Sequence, residues 1–395
     1  MKTIHTAIEL GTSKLSVLIY RPTRDNKIEV LGLGNYTYPD THRDNRENPD
    51  SLQQALVQAI GQAEKAAGQE VKRASLALAN EYCGLIRNYK EIEPGKHISR
   101  RDIRRLRKLT EDYTLARPWE ITDVFYGNFN VDGLSIVDPY GLYANTLGLE
   151  SSLLCMDNDF IDKIKDQLSV LGISLSQVLS ESASIGNAIV TQEEMESGVL
   201  LIDIGGHSTG ITYFEDGRPL VLDSLPVGGK HISQDLQMGL NISFDQAEKL
   251  KRSCILGQGA YDNQKELDEQ DPDPKIEKDP TEANLSTDFS NQIVMARVEE
   301  ILLLAKAKAV SSGLLKDGCI LILTGGGLAM LRGIKDYASG VLQMPVRIGA
   351  PDLIGLTSPV YTSLYSIAMA SQTMAIKGFN IVENIKKYLK SISFN

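Results

Sequence analysis

The sequence is short of cysteine, of aromatic mass and of long apolar runs. Its four cysteines, Cys83, Cys155, Cys254 and Cys319, are scattered without a CxxC spacing. That excludes a zinc knuckle, offers no disulfide framework and fits a reducing cytoplasm. No apolar stretch approaches the roughly 20 residues that a spanning helix needs. The opening residues, MKTIHTAIELGTSKLSVLIY, lack a charged region followed by an apolar run and a cleavage site, so no secretory leader is expected. Positive charge is in the minority, with 41 Lys and Arg against 51 Asp and Glu and a net charge of −10. Nucleic acid is therefore not expected as a partner, because binding its phosphates needs clustered positive charge. A membrane is not excluded, since a short basic segment acts locally.

What is present is a globular composition, 42% hydrophobic and 23% charged over 395 residues. A chain this long exceeds one ordinary core, so two or more domains are expected. Residues 3–20 read strand–turn–strand around Gly11, and a third strand is expected over 28–33. After a loose polar stretch at 38–50, residues 51–67 carry Leu52, Ala55, Leu56, Ala59, Ile60 and Ala63 at helical spacing, with Gly68 as the stop. Residues 71–79 return to strand, completing a β-β-β-α-β order. The order begins again at Gly198, where VLLIDIGGHSTGITYF reads strand–glycine turn–strand and GRPLVLDSLPVGG supplies a third strand. A late strand at 319–323 runs into Gly325-Gly326-Gly327, read as ending a strand and opening a helix. Between the two copies, residues 81–160 read as an inserted unit with a basic helix at 99–108. Residues 257–292 are acidic and Pro-punctuated, and read as a loop. Residues 292–309 show a helical pattern through Ile293, Ala296, Ile301 and Leu304.

Each glycine segment suits a nucleoside triphosphate. Backbone N–H groups in a tight turn are phosphate donors, and glycine lets the backbone approach without a Cβ clash. Gly11, Thr12, Ser13 and Lys14 form one candidate phosphate hairpin; Gly205, Gly206, His207, Ser208 and Thr209 form the opposing one. Glu9 and Asp203 precede the two turns, placed to hold Mg²⁺ through water, because that ion keeps most of its hydration shell. Gly325, Gly326 and Gly327 suit the flat approach of adenine and the α-phosphate. Singly, such a turn is more often simply a hairpin; the ordered triple inside a duplicated pattern is what points to ATP.

The C-terminal residues reverse the chain's charge. Ile381, Ile385, Tyr388, Leu389 and Ile392 fall on one helical face, and Lys377, Lys386, Lys387 and Lys390 stand against Glu383 alone. Such a helix lies in the headgroup region of an anionic membrane; the alternative is a helix docked on the protein's own core.

The chain resembles the FtsA family, bacterial actin homologues that tether the division ring. The resemblance runs nearly end to end, through EVLGLG, SLQQALVQAIGQAEKAAGQEV, FNVDGLSIVDPYGLYA, LPVGGKHISQDLQMGLNISFDQAEKLK and VRIGAPDLIGL. It implies an α/β actin-like fold, duplicated around a nucleotide cleft. Residues 1–80 and 161–197 would form the first half, and 81–160 an insert of the type shared with the pilus protein PilM. Residues 198–228 and 315–378 would form the second half, 229–314 its peripheral subdomain with the acidic loop 257–292, and 379–395 the membrane tail. The resemblance further places Glu248 and Lys251 at ribose and adenine, although their three-residue spacing equally suits an exposed helical salt bridge. It gives Glu181 a role in orienting the attacking water. It brings the C-terminal tail of the tubulin homologue FtsZ to the region of Arg297. Other divisome proteins, a second copy in a filament and the inner membrane surface complete the implied partners.

The chain departs from that family at three points. Glu9 stands where Asp is usual, His207 replaces a loop glycine, and Gly210 replaces an aspartate. Binding through backbone survives such changes better than turnover, which needs placed acids. Slow ATP hydrolysis at most is expected, and His207 is a weak candidate base. The rival readings are a PilM-like adaptor binding a membrane-protein peptide, a sugar kinase lacking its aspartate, and a chaperone lacking its peptide-binding domain.

Overall fold

The computed structural model describes residues 4–23, 27–38, 46, 48–95, 97–257 and 280–377. The tail at 379–395 and the acidic stretch 258–279 lie outside the described residues.

The first half opens with β1 (His5–Leu10), β2 (Lys14–Pro22) and β3 (Ile28–Thr37). α1 (Pro49–Ala67) follows, then β4 (Arg73–Leu78). α1 buries Leu52, Ala55, Leu56, Ala59, Ile60 and Ala63, the face read from the spacing, and Gly68 ends it at φ 62° in the left-handed region. Its packing is close because β3 carries glycines: a Cβ on Gly34 would stand 1.9 Å from the Ala59 carbonyl. Alternating glycines also explain why β3 outruns its expected end, since its backbone lies directly against the helix. With β9 (Ser174–Ser180) these strands form a sheet of order β3-β2-β1-β4-β9.

The second half repeats the plan with β10 (Val199–Ile204), β11 (Thr209–Glu215), β12 (Arg218–Leu225), β13 (Ile320–Thr324) and β14 (Val346–Ile348). Their order, β12-β11-β10-β13-β14, matches the first sheet strand for strand. α6 (Gly229–Leu240), α7 (Phe244–Ser253), α8 (Pro280–Ser311) and α9 (Ile334–Leu342) accompany this sheet. Its core joins Leu200, Ile202 and Leu323 to Ile232, Val298 and Ile301. The remaining links are α3 (Asn158–Val170), α4 (Glu181–Ile189), α5 (Gln192–Ser197) and α10 (Thr362–Lys377).

Between β4 and α3 stands a third sheet, β5-β8-β6-β7, of β5 (Cys83–Ile92), β6 (Trp119–Val131), β7 (Leu134–Ile136) and β8 (Leu147–Asp157). It carries α2 (Arg100–Glu111), which begins in a capping box between Ser99 and Asp102. The sheet rests against the edge of the second half, where Arg218 of β12 donates to Ser152 at 3.0 Å and Glu150 at 2.8 Å.

Three sequence expectations need correction. Residues 280–292 are not loop: α8 begins at Pro280, where a residue without an N–H costs nothing in the first turn. The buried face of α8 runs through Val294, Val298, Ile301, Leu302, Ala305 and Ala309, leaving Ala296 and Leu304 exposed. The triple glycine does not open a helix; the chain continues in turns and α9 starts only at Ile334.

Candidate functional site

A cleft of about 730 Å³ lies between the two halves. Its floor is built from two hairpins in corresponding positions. The β1–β2 turn is tight enough that a Cβ on Gly11 would stand 2.8 Å from the Lys14 carbonyl. The β10–β11 turn closes with Gly205 N–H donating to Ser208 O at 2.9 Å. The tips touch across the cleft, where His207 N–H donates to Thr12 Oγ1 at 3.0 Å. Lys14 crosses over as well. Its ammonium reaches the Val360 carbonyl at 2.9 Å and Glu9 at 3.4 Å, 5.2 Å from the Tyr361 ring centre.

The triple glycine packs on the second hairpin. Gly325 turns at φ 88°, and a Cβ there would stand 2.2 Å from Asp203 Oδ1; one on Gly327 would stand 2.3 Å from the Gly205 carbonyl. Gly327 N–H donates to Ile204 O at 2.7 Å. α6 starts against the same turn, its Gly229 and Lys230 N–H groups donating to Gly205 O and Gly206 O at 2.9 and 2.8 Å. This helix start therefore braces the loop.

Of the residues singled out from the sequence, the cleft wall holds Glu9, Gly11, Thr12, Ser13, Lys14, Glu181, Asp203, Gly205, Gly206, Ser208, Glu248, Lys251, Gly325, Gly326 and Gly327. Thr209 is turned away, fully buried, with its hydroxyl donating to Val227 O at 2.7 Å. The His207 ring lies 5.8 Å from that of His231, and His207 is not among the residues lining the cleft, so it makes a poor base for chemistry there. Glu248 and Lys251 are an ion pair at 2.5 Å, yet not the solvated pair their spacing also suited. Lys251 is buried, donating to the Gly229 carbonyl at 3.0 Å, and Glu248 also accepts from Ser233. Burial draws the Lys251 ammonium below its ordinary pKa, while Glu248 partly restores it.

The acids of the cleft repel one another. Burial pushes the Glu181 carboxyl well up, the charges of Asp203 and Glu9 add to this, and a hydrogen bond from Ser363 opposes it. Asp203 is raised by burial and then by Glu9, with Lys14 as its counterweight. Among the described residues no three Asp, Glu, His or Cys side chains converge closely enough to hold a metal by themselves. The donor set suits magnesium that draws most of its ligands from water and phosphate, and the glycine cradle suits a polyphosphate.

Sequence reasoning missed three contributors. Arg46 is buried in the cleft wall, bonded to Glu81 and to the Leu10 carbonyl at 3.4 Å. Lys230 lines the cleft 5.6 Å from the Phe244 ring centre. Asn80 donates to Ile211 O, Thr212 Oγ1 and Asp223 O at 3.1, 3.2 and 2.9 Å and accepts from Ser182. Asn80 also bears on the missing aspartate: a Cβ on Gly210 would stand 3.3 Å from Asn80 Nδ2. Arg46 and Asn80 depend on contacts far along the chain, so no local spacing announces them.

Arg297 is outside the cleft. Its guanidinium forks onto Asp235 of α6 at 2.6 and 3.0 Å and reaches Glu300 at 2.6 Å. The residues named for a membrane face, Ile381, Ile385, Lys386, Lys387, Tyr388, Leu389, Lys390 and Ile392, lie outside the described residues.

Comparison with known proteins is consistent across sequence and fold. A family model described as "Cell division protein FtsA" matches residues 200–366. Cell division protein FtsA of Bacillus subtilis (strain 168) is 28% identical over 387 residues, covering 96% of this chain and 86% of that protein. The PilM–PilN type IV pilus biogenesis complex superposes with a TM-score of 0.54 at 13% identity, covering 94% of this chain and 99% of that one. MreB 5 of Spiroplasma citri bound to AMPPNP superposes with a TM-score of 0.51 at 13% identity, covering 98% and 99%. At such identities the structural likenesses establish the actin-like fold alone.

Proposed function

We propose that this chain, which is similar over most of its length to FtsA cell-division proteins, binds MgATP in its cleft and uses it to control self-association on the inner face of the cell membrane. There it tethers the FtsZ ring at the division site. The observation that carries the nucleotide part is the convergence of two glycine hairpins, a triple glycine and the Glu248–Lys251 pair on one cleft of about 730 Å³.

In this reading the hairpins at Gly11–Lys14 and Gly205–Ser208 offer backbone N–H groups to the phosphates, with Lys14 and Lys230 balancing their charge. Gly325, Gly326 and Gly327 seat the adenosine side, beside Glu248 and Lys251. Glu9 and Asp203 hold magnesium through water, and Glu181 orients an attacking water. The bound ion would neutralise phosphate charge that the cleft acids oppose. Hydrolysis, where it occurs, is slow, because Gly210 supplies no carboxylate. The His207–Thr12 bond joins hairpins that belong to different sheets. Phosphates entering between the tips displace it, so nucleotide shifts the population of cleft states.

The tail at 379–395 supplies the membrane anchor; a single short amphipathic helix binds weakly, and assembly strengthens it by multivalency. Arg297 meets the FtsZ tail only by exchanging its present carboxylate partners for those of the peptide.

The test is electron microscopy on an anionic lipid monolayer. The full chain and a version ending at Lys377 are imaged with and without MgATP. Filaments that require MgATP and vanish from lipid on truncation support the reading. A bare monolayer with the full chain overturns the anchor and makes the tail a helix docked on its own core.

A further inference from the structure

Arg46 is buried in the cleft wall, its side chain 2% exposed, and the nucleotide reading above gives it no part. Burying a guanidinium is costly unless its charge is answered and its hydrogen bonds are met. It is paired with Glu81 and donates to the Leu10 carbonyl at 3.4 Å. It also lies 5.2 Å from the ring centre of Tyr82, and that ring stacks on Phe160 of α3 at 3.7 Å. The planar fork is thus oriented before any ligand arrives.

The first sheet sets where that fork stands. β1, β4 and β9 run parallel, so Leu10, Leu78 and Ser180 end on the same side. Glu81 follows β4 in the short turn Asn80–Tyr82, and Glu181 opens α4 directly after β9. Arg46 joins the end of β1 to Glu81 across these strand ends. Burial raises the Glu181 carboxyl most, and Arg46 is close enough to pull it back down. The crevice beyond the carboxyl ends of parallel strands is where such sheets take their ligands.

The direction of a nucleotide follows from the other half. Gly325, Gly326, Gly327 and the Glu248–Lys251 pair belong to the second half. With adenosine seated there and the hairpins holding phosphate, the terminal phosphate points to the strand ends of the first half. That region is acidic, with Glu9, Glu81 and Glu181 on the wall. Lys14 is turned to the Val360 carbonyl and Glu9, and Lys230 lies beside Phe244. Arg46 is placed further along, and a guanidinium takes two phosphate oxygens side by side. A terminal phosphate outcompetes one carboxylate for that fork. A diphosphate stops short of it and leaves the Arg46–Glu81 pair intact.

We propose that Arg46 determines specificity in the cleft, exchanging Glu81 for the terminal phosphate of a nucleoside triphosphate, so that the protein tells triphosphate from diphosphate. The role rests on the nucleotide reading above.

The test is calorimetry on the full chain with two magnesium-bound probes, the β,γ-imido analogue of ATP and ADP. Arg46→Gln should weaken the analogue at least about tenfold and ADP less than about twofold, the retained ADP affinity showing that the variant is folded. Arg46→Gln also strands Glu81, so R46Q/E81Q, which removes both charges, should show the same selective loss. Glu81→Gln takes away the present carboxylate partner of the fork. It should tighten the analogue at least about threefold and leave ADP unchanged, because the phosphate no longer has to displace an anion. A pair that only held the fold would make E81Q weaken both probes. Equal loss of both probes in R46Q and R46Q/E81Q, or an E81Q that binds the analogue no tighter than wild type, overturns the role of Arg46 while the nucleotide reading stands. A wild type that binds neither probe overturns the nucleotide reading, and the role of Arg46 falls with it.

Discussion

Replacing Asp203 by asparagine should make the nucleotide-free protein more stable, although most substitutions in a functional cleft do the opposite. The carboxylate abuts Gly325, and no side chain among the described residues donates a hydrogen bond to it. Burial and the neighbouring Glu9 raise its pKa to about 7, and Glu181 beside it is raised to about 8. Unfolded, both groups titrate near 4. Between those values the folded state binds more protons than the unfolded one, so stability falls as pH rises from about 4 towards 8. At about 1.36 kcal/mol per pKa unit the full Asp203 effect would be roughly 4 kcal/mol. The cleft admits water and the two acids share one repulsion, so about 1–2 kcal/mol is the working expectation. At about 2–4 °C per kcal/mol, D203N should melt roughly 2–8 °C above wild type at pH 8, and the gap should close towards pH 5. Thermal melts at pH 5, 6, 7 and 8 measure it directly. MgATP should raise the wild-type Tm and leave D203N nearly unmoved. The reasoning fails if D203N melts below wild type at pH 8, or if the gap is the same at pH 5.

Lys14→Ala removes the cation that links Glu9 to the Val360 carbonyl; calorimetry should show ATP affinity reduced at least tenfold, about 1.4 kcal/mol, with little change in Tm. Gly327→Ala puts a methyl 2.3 Å from the Gly205 carbonyl, an overpacking of about 1–3 kcal/mol that urea unfolding would read, together with lost nucleotide binding. Asn80→Leu strands the Ile211 and Asp223 carbonyls and should cost about 2–4 kcal/mol in the same assay, while leaving every phosphate-loop residue in place.

Legibility in the sequence followed the range of the contacts. α1 was readable because its six buried positions repeat at helical spacing and Gly68 marks its end, all within twenty residues. The hairpins were readable because each turn is closed by neighbours a few residues away. The phase of α8 was not, because apolar runs at 293–295 and 301–304 permit two faces, and only packing against the second sheet selects Val294 and Val298. The helix expected after the triple glycine failed for a tertiary reason. Gly325 turns at positive φ, and Gly327 is held on Ile204 and Gly205, which delays the helix to Ile334. Arg46 and Asn80 were invisible for the same cause: the partners of Asn80 in β11 and β12 lie 131 to 143 residues away.

Those long-range bonds would connect a nucleotide at the hairpins to the insert. Glu181 begins α4 in the cleft and accepts from Ser363 of α10, so both helices report on the charge held there. The next residue, Ser182, donates to Asn80, which grips β11 and β12 of the other half and stands at the root of β5. Arg218 ties the far side of the same insert to β12. The insert is thus clamped to both halves, through Asn80 and α4 on one side and Arg218 on the other. A change in how the hairpin tips meet, with the His207–Thr12 bond made or broken, would load these polar bonds. The insert shares the core of the first half, where Cys83, Leu154 and Met156 join Ile8 and Leu56, so it moves with that half, and the polar bonds to β11 and β12 are where a shift between the halves would be felt. An assembly contact carried by the insert would therefore sense how the first half sits against β11 and β12, and through that any change of the cleft.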